Sequence, residues 1–293
     1  MKRAEVHSKR QLGEYEDVEH RPHAKEDRHF VTALARGLQV LQCFSSGEER
    51  LGNQDLAERC GLPKSTVTRL TYTLTKLGFL HHVAESGRYR LGMATLRLGG
   101  TTLSRLDAKE VSRPLMQQLA NDTGCLVSLG MRDGMSMLYV ETCRSDSIVT
   151  IRLNIGSRIP LATTAMGRAY LAGAKPAARR GLEERIRTLD AANWPRIERG
   201  IRQALDDFER HGCCCSFGDW RGEVNAIASP LRVGKGMPLM VLSAAGPRSM
   251  APEVFMQEIR PKLCETVEAI ERHFRTAAEL PSTPRNPTRS FRE

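Results

Sequence analysis

One segment of the sequence places hydroxyl, aromatic and cationic side chains on one side of a helix predicted to begin just after Pro63. At 100° per residue, the apolar side chains share one face of this helix: Val67, Leu70, Leu74 and Leu77. The opposite face is polar: Ser65, Thr68, Arg69, Tyr72 and Lys76. The 25 residues from Cys60 to Ala84 contain no Asp or Glu. Because acidic groups would oppose contact with phosphates, this face is predicted to bind nucleic acid.

Side-chain chemistry gives these residues different roles. Arg69 has the planar fork that fits guanine O6 and N7, or a phosphate. Side chains in the first turns approach base edges and backbone, whereas Tyr72 and Lys76 would contact the sugar-phosphate backbone. With two arginines from a following hairpin, the predicted DNA-binding set is Lys64, Ser65, Thr66, Thr68, Arg69, Tyr72, Lys76, Arg88 and Arg90. The alternative is a solvated, merely basic helix or a protein-binding module of the same topology.

The elements around this helix predict a winged helix-turn-helix over residues 30–92. A first helix has one apolar face: Leu34, Gly37, Leu38, Leu41 and Phe44. The segment NQDLAERC predicts a short second helix with Asn53 as its N-cap, closed by Gly61 in the left-handed conformation. After Gly78, the runs FLHHV and RYRLG predict a β-hairpin, with Arg88 and Arg90 on one face. Of His81 and His82, one is expected in the hairpin core and the other exposed.

The rest of the chain predicts an α+β fold. Residues 93–106 predict a linker helix and residues 107–280 a second domain, in which strands are flanked by helices at both ends. Its expected elements are a helix closed by Gly124, the extended runs CLVSLGM, MSMLYVETC and SIVTIRLN, helices near 164–172 and 195–211, strands near 224–233 and 238–245, and a closing helix over 252–278. Residues 1–29 and 281–293 are too polar or Pro-rich to pack and are predicted to be disordered.

Composition limits the class of protein. The 293 residues suggest about two domains, with 40% hydrophobic and 27% charged residues, as is usual in globular proteins. No run reaches the roughly 18 apolar residues of a membrane span, and the charged N-terminus has no secretory signal, so a cytoplasmic protein is predicted. The net charge of +10 favours polyanionic partners. No phosphate-binding glycine loop occurs, so no cofactor is expected.

The sequence HGCCCS at 211–216 is the one feature that suggests an enzyme or a metal site, because a thiol beside a His can act as a nucleophile. On an extended strand, however, Cys213, Cys214 and Cys215 would point alternately to opposite faces and could not all bind one ion. Reduced, buried thiols without catalytic or metal-binding function are therefore predicted for this chain of eight cysteines.

Several motifs in order resemble the IclR family of bacterial transcriptional regulators: LARGLQVLQCF, NQDLAERCGLPKSTVTRLTYTLTKLGFL, SGRYRLG, GSRIPLATTAMGRAYLA and GDWRGEVNAIASPLR. The resemblance covers residues 30–280. It implies a winged helix-turn-helix, a linker helix and a GAF-like effector-binding domain. It also implies dimers, or dimers of dimers, that bind palindromic operators and respond to small organic acids. The family's usual His and Lys are replaced here by Ala162 and Arg168.

The start of the helix after Pro160 is the predicted effector site. A helix N-terminus offers unpaired N–H groups and a positive potential to a carboxylate, and Thr163 and Thr164 can add hydroxyl groups. The resemblance implies a pocket formed by Thr164, Ala165, Asn225 and Ser243, with Ile151 and Ile159 as its apolar wall and Asp219 at the rim. Ordinary N-capping without any ligand is the alternative.

The sequence therefore predicts a DNA-binding, ligand-responsive transcriptional regulator that senses a small organic acid and controls a catabolic operon, with repression favoured over activation. The alternative is a small-molecule-binding or thiol-active protein whose winged helix mediates protein contacts.

Overall fold

The computed structural model describes residues 29–44, 50–103, 107–145, 153–234 and 237–279. The arm predicted for residues 1–29, apart from His29, and the tail predicted for 281–293 lie outside these ranges. Most of the extended run SIVTIRLN, including Ile151, also lies outside them.

The N-terminal part is a winged helix-turn-helix, as predicted. Its elements are α1 (Thr32–Gln42), α2 (Asn53–Cys60), α3 (Lys64–Lys76), β1 (Leu80–Val83) and β2 (Arg88–Leu91). The two strands pair antiparallel, with Leu80 opposite Leu91. Apolar side chains from all three helices, the hairpin and the segment before α2 form one core: Val40, Leu51, Leu56, Cys60, Val67, Leu74 and Leu80. This core holds α3 so that its polar face points outward.

Four local predictions in this domain are wrong. Leu77, predicted on the apolar face of α3, is 60% exposed because it is the C-cap residue at the end of that helix. In α1, Leu34 and Leu38 are 62% and 50% exposed, because the helix packs on α3 through the stripe of Gly37 and Val40.

Helix α2 is capped by Gly52 and not by Asn53: the Gly52 N–H donates to the Asp55 carboxylate over 2.8 Å. His81 and His82 are both exposed, since neither side of this short hairpin encloses them.

Helix α4 (Met93–Leu103) occupies the predicted linker, and α5 (Asp107–Thr123) follows it. As predicted, α5 is closed by Gly124, whose φ of 66° lies in the left-handed region that glycine adopts without a Cβ penalty. In chain order, the linker helix is therefore followed by the first helix of the second domain, with residues 104–106 between them outside the described ranges.

The second domain contains a six-stranded antiparallel sheet in the order β5-β4-β3-β8-β7-β6. The strands are β3 (Leu126–Asp133), β4 (Ser136–Cys143), β5 (Arg158–Pro160), β6 (Cys214–Phe217), β7 (Val224–Leu231) and β8 (Met240–Pro247). The helices are α6 (Ala165–Gly173), α7 (Pro176–Leu189), α8 (Trp194–His211), α9 (Pro252–Val254) and α10 (Arg260–Glu279), with a π-helical turn at Phe255–Ile259. The sequence reading missed α7, whose many arginines obscure the buried pair Leu182 and Ile186.

Each face of the sheet has its own core. On one face, α5 and α10 pack with side chains such as Met116, Leu119 and Leu263. On the other face, α6 and α8 contribute Met166, Ile197 and Ile201. The sheet thus separates the helix that follows the linker from helix α6, at whose start the effector site is predicted.

A bulge in β4 places Tyr139 and Glu141 on opposite faces of the sheet. The pairing register shifts between Leu129 and Gly130, which face Glu141 and Tyr139 across the strands. Tyr139 consequently packs in the core on the α6 side. Glu141 is 1% exposed and pairs instead with α5, through Arg113 Nη1 at 2.9 Å and Lys109 Nζ at 3.4 Å.

Within the part of the chain that the structure describes, no helix combines the length and apolarity needed to cross a bilayer.

Candidate DNA interface and effector cavity

Helix α3 presents its predicted DNA-binding residues on the surface. Thr66 is half-buried, and the others are exposed: Lys64, Ser65, Thr68, Arg69, Tyr72 and Lys76. The Arg69 guanidinium has no hydrogen bond or ion pair with any other described residue. The ammonium of Lys76 lies 5.5 Å from the centroid of the Tyr72 ring, within cation–π range. The helix therefore offers an unengaged guanidinium beside an aromatic–cation pair.

The side chain of Asn53 connects α2 to α3 through hydrogen bonds. Its Nδ2 donates to Thr68 Oγ1 over 3.3 Å, and Thr71 Oγ1 donates to Asn53 Oδ1 over 3.1 Å. Thr71 is fully buried, although the helical wheel leaves it out of the apolar face. The sequence predicts Asn53 only as a cap, and its position in the first turn of α2 gives no direct sign of this cross-helix contact.

The two arginines of the hairpin are used differently. Arg88 contacts α2 and the preceding loop, with Nη2 at 3.5 Å from Asp55 and Nη1 donating to the Arg50 carbonyl over 3.1 Å. Arg90 is exposed and makes no ion pair with any described residue. Arg88 thus attaches the hairpin to α2, while Arg90 remains available to an outside phosphate.

A small cavity lies where α6 begins, between that helix and the sheet. Its volume is about 20 Å³, enough for one water molecule. Four predicted effector residues line it: Ile159, Thr164, Ala165 and Ser243. The remaining lining is mostly apolar and was not predicted: Tyr139, Leu153, Met166, Ser216, Trp220, Val224, Ala226 and Ala245. Among the residues that the structure describes, none with a charged side chain lines the cavity.

Thr164 is the N-cap of α6. Its Oγ1 accepts a hydrogen bond from the Gly167 N–H at 3.0 Å and donates to the Pro160 carbonyl over 2.7 Å. The hydroxyl therefore fixes the start of the helix against the strand that precedes it. The N–H groups of Ala165 and Met166 belong to the first turn, where a helix has no carbonyl partners of its own. Both residues line the cavity, so it lies at the positive end of the helix dipole.

Of the other three predicted effector residues, the structure places two away from this cavity. Alternation along β7 turns Val224 and Ala226 toward the cavity and Asn225 to the opposite face, where its Nδ2 donates to the Met250 carbonyl over 3.0 Å. Asp219 lies 2.6 Å from Arg168 Nη1 and lines a separate cavity of about 360 Å³. Ile151 lies outside the described residues.

Tyr139 is the polar lining residue that sequence reasoning missed. Burial raises the pKa of its hydroxyl to about 12, so the group keeps its proton at neutral pH and can act as a donor. Tyr139 lies on β4, two residues after the buried Met137, so strand alternation puts both side chains on the same face. This spacing was the signal in the sequence that could have indicated a buried Tyr139.

The cysteine triplet alternates across the sheet, as predicted. Cys213 and Cys215 pack in the core on the α5 side, and Cys214 packs on the α6 side. Burial raises the pKa of the Cys214 thiol, and a hydrogen bond with Cys215 raises that of Cys213. The Cys213 and Cys214 thiols therefore stay protonated, and all three side chains are enclosed. In the described ranges, no group of three His, Cys, Asp or Glu residues is arranged to hold a metal ion.

The winged helix-turn-helix with its outward basic helix, followed by the α+β domain, defines a DNA-binding transcriptional regulator. The model described as "IclR helix-turn-helix domain" matches residues 33–84, and "Bacterial transcriptional regulator IclR C-terminal" matches residues 100–272. The chain therefore belongs to the IclR family, as its motifs predicted.

Individual relatives agree with this placement. The HTH-type transcriptional regulator TsaQ1/TsaQ2 of Comamonas testosteroni is 35% identical over 251 residues, 84% of this chain and 90% of the relative. The crystal structure of an IclR family transcriptional regulator from Brucella abortus has a TM-score of 0.75 and 44% identity, covering 85% of this chain and 94% of that one. An IclR homolog from Microbacterium hydrocarbonoxydans, complexed with 4-hydroxybenzoate, has a TM-score of 0.68 and shares the fold at 23% identity, covering 84% of this chain and 100% of that one.

Proposed function

We propose that this protein is a cytoplasmic repressor that binds a palindromic operator through α3 and is controlled by a small organic acid bound at the start of α6. The observation that carries the DNA-binding part is the outward face of α3, which is basic and hydroxyl-rich and has an unengaged Arg69. Bound near a promoter of a catabolic operon, such a protein would repress transcription by blocking RNA polymerase. Activation would need, in addition, a surface that recruits the polymerase.

The proposed assembly is a homodimer, which can associate further into a dimer of dimers. Exposed apolar side chains gather on the first helix and around the start of the linker helix: Leu34, Leu38, Leu91, Met93 and Leu96 are 45–68% exposed. Large exposed apolar side chains are typical of a surface that a partner covers when they form one patch. A second copy with the same face gives a two-fold arrangement of recognition helices, and such an arrangement matches a palindrome.

The proposed effector has one carboxylate and an apolar body. The carboxylate would accept hydrogen bonds from the N–H groups of Ala165 and Met166, and the apolar lining would contact the body. The Tyr139 hydroxyl and Ser243 offer further hydrogen bonds. The complex of the Microbacterium hydrocarbonoxydans relative with 4-hydroxybenzoate, an organic acid, supports this class of ligand. Because the cavity has room for a single water, binding must displace side chains, and this displacement is a route for coupling to the rest of the domain.

We expect Thr164→Val to lose the effector response while keeping DNA binding. Valine has nearly the shape of threonine but cannot accept the Gly167 N–H, so the first turn of α6 loses its cap, at a cost of about 1 kcal/mol. The measurement is the thermal shift produced by a panel of aromatic and aliphatic carboxylic acids, including 4-hydroxybenzoate. Thr164→Ser, which keeps the hydroxyl, is the matched control. A full response in the valine variant would remove Thr164 from the effector site.

Selection from a random pool of duplexes tests the function as a whole. The purified protein should enrich a palindromic motif, and an organic acid that stabilises the protein should change its affinity for that motif. Failure to enrich any motif, combined with turnover of a thiol-reactive substrate that is lost in a variant without Cys213–Cys215, would favour the alternative of a thiol-active protein.

A further inference from the structure

Two cysteines meet inside the helix-turn-helix, outside both proposed binding sites. Cys43 is the C-cap of α1 and Cys60 is the last residue of α2. Their Sγ atoms are 3.2 Å apart, the distance of a thiol–thiol hydrogen bond. Cys60 is buried and Cys43 is half-buried. The pair therefore joins the ends of two helices and can be reached by a small solute through Cys43.

The surrounding backbone keeps the two thiols together. Gln39 Nε2 donates to the Cys60 carbonyl over 3.2 Å, and Arg59 Nη1 donates to the Cys43 carbonyl over 3.1 Å. Each helix end thus holds the carbonyl of the opposite cysteine. A disulfide has an S–S length of about 2.05 Å, so the sulfurs would have to approach by roughly 1 Å.

The environment also assigns different roles to the two sulfurs. The hydrogen bond with Cys43, together with burial, raises the pKa of the Cys60 thiol, so Cys60 keeps its proton at neutral pH. Cys43 is half-buried whereas Cys60 is buried, so an oxidant from solution reaches the Cys43 sulfur first. Cys43 is therefore the nucleophile and Cys60 the resolving thiol.

We propose that Cys43 and Cys60 form an oxidation site at which a hydroperoxide converts the two thiols into a disulfide. The Cys43 thiolate attacks the terminal oxygen of the peroxide; the O–O bond breaks, and Cys43 becomes a sulfenic acid. The Cys60 sulfur then displaces the hydroxyl group, which leaves as water with the Cys60 proton, and the S–S bond forms. In sum, two thiols and one hydrogen peroxide give one disulfide and two waters, and the sulfurs lose two electrons to the peroxide.

The position of this bond connects it to DNA binding, a consequence that rests on the proposed function. Asn53 holds α2 to α3 through Thr68 and Thr71, so the two helices move together. Drawing α2 toward the end of α1 would shift the recognition helix relative to Leu34 and Leu38, the apolar side chains proposed to contact the second copy. The two recognition helices of a dimer would then no longer match the spacing of the half-sites.

To test for the disulfide, the full-length protein is treated with hydrogen peroxide and the remaining thiols are alkylated. Linked peptides are then mapped by mass spectrometry. We expect a Cys43–Cys60 linked peptide that dithiothreitol removes and that is absent from Cys43→Ser and from Cys60→Ser. Cys264→Ser, which removes the other half-exposed thiol, is the matched control and should leave the link intact. No link in the wild-type protein, or a link only between other cysteines such as Cys213 and Cys264, would overturn the proposal.

A second readout separates the chemistry from its consequence. Oxidation should weaken binding to the selected duplex about 5- to 150-fold, the usual range for coupled sites, and Cys43→Ser should not respond. Linked protein with unchanged affinity would overturn the link to DNA binding. A reduced protein that binds no duplex would instead contradict the proposed function, while the peptide map would still decide the oxidation site.

Discussion

Gly167→Ala should unfold the second domain at markedly lower temperature and abolish any effector response. A Cβ at this position would lie 2.0 Å from the Leu161 carbonyl oxygen and 2.6 Å from the Leu161 Cα, and both of these are backbone atoms that cannot rotate away. Helix α6 would have to move off the strand segment that precedes it. We expect a loss of about 3 kcal/mol or more in the free energy of unfolding, at the upper end of overpacking effects. Thermal and urea unfolding measure it.

Gly181→Ala is the matched control for this variant. Gly181 is an exposed residue of α7, and a Cβ there meets nothing within 4 Å. The same change should therefore stabilise the protein by roughly 0.5–1 kcal/mol, because alanine favours a helix over glycine. If Gly167→Ala unfolded like Gly181→Ala, the close contact between α6 and the segment at Leu161 would be wrong, and with it the geometry of the effector cavity.

Arg69→Ala should weaken binding to the operator by about 1–3 kcal/mol, roughly 5- to 150-fold. Arg69 projects from the exposed face of α3 without a partner among the described residues, so its removal leaves no unpaired group inside the protein. If its guanidinium reads a guanine, the loss should fall on the selected duplex and leave binding to a shuffled duplex much less affected. If it contacts a phosphate, both duplexes should be weakened alike.

Arg187→Ala controls for the loss of one positive charge. Arg187 is an exposed residue on α7 that pairs with Glu184 at 3.6 Å, away from the helix-turn-helix. Its removal should change DNA affinity by less than twofold, since distant exposed charges are largely screened. Equal affinities of the Arg69→Ala variant and the wild-type protein for the selected duplex would exclude Arg69 from the DNA contacts.

The helix-turn-helix could be predicted from the sequence because its signals are local. Gly61, Pro63 and Gly78 mark the ends of helices, and the periodicity of α3 gives its buried face. The prediction of the buried face of α1 was wrong because that face depends on how two elements pack together. Leu34 and Leu38 fit a helical stripe, but only the packing of α1 on α3 decides which stripe is covered.

The effector cavity was harder to predict because it combines residues far apart in sequence. The start of α6 was found from its own capping pattern, and Ser243 from family resemblance. Trp220 and Ser216 come from the edge of the sheet, and Tyr139 faces the cavity next to a bulge that no local pattern reveals. Asn225 lies on a strand whose phase the sequence does not fix, and a shift of one residue sends its side chain to the other face.

Fluorescence anisotropy with the duplex from upstream of this protein's own gene, compared with a shuffled duplex at several salt concentrations, tests DNA binding by α3 most directly. We predict tighter binding to the upstream duplex, by about 10³-fold or more, and a steep fall in affinity as salt increases. Absence of binding to either duplex at low salt would contradict the account.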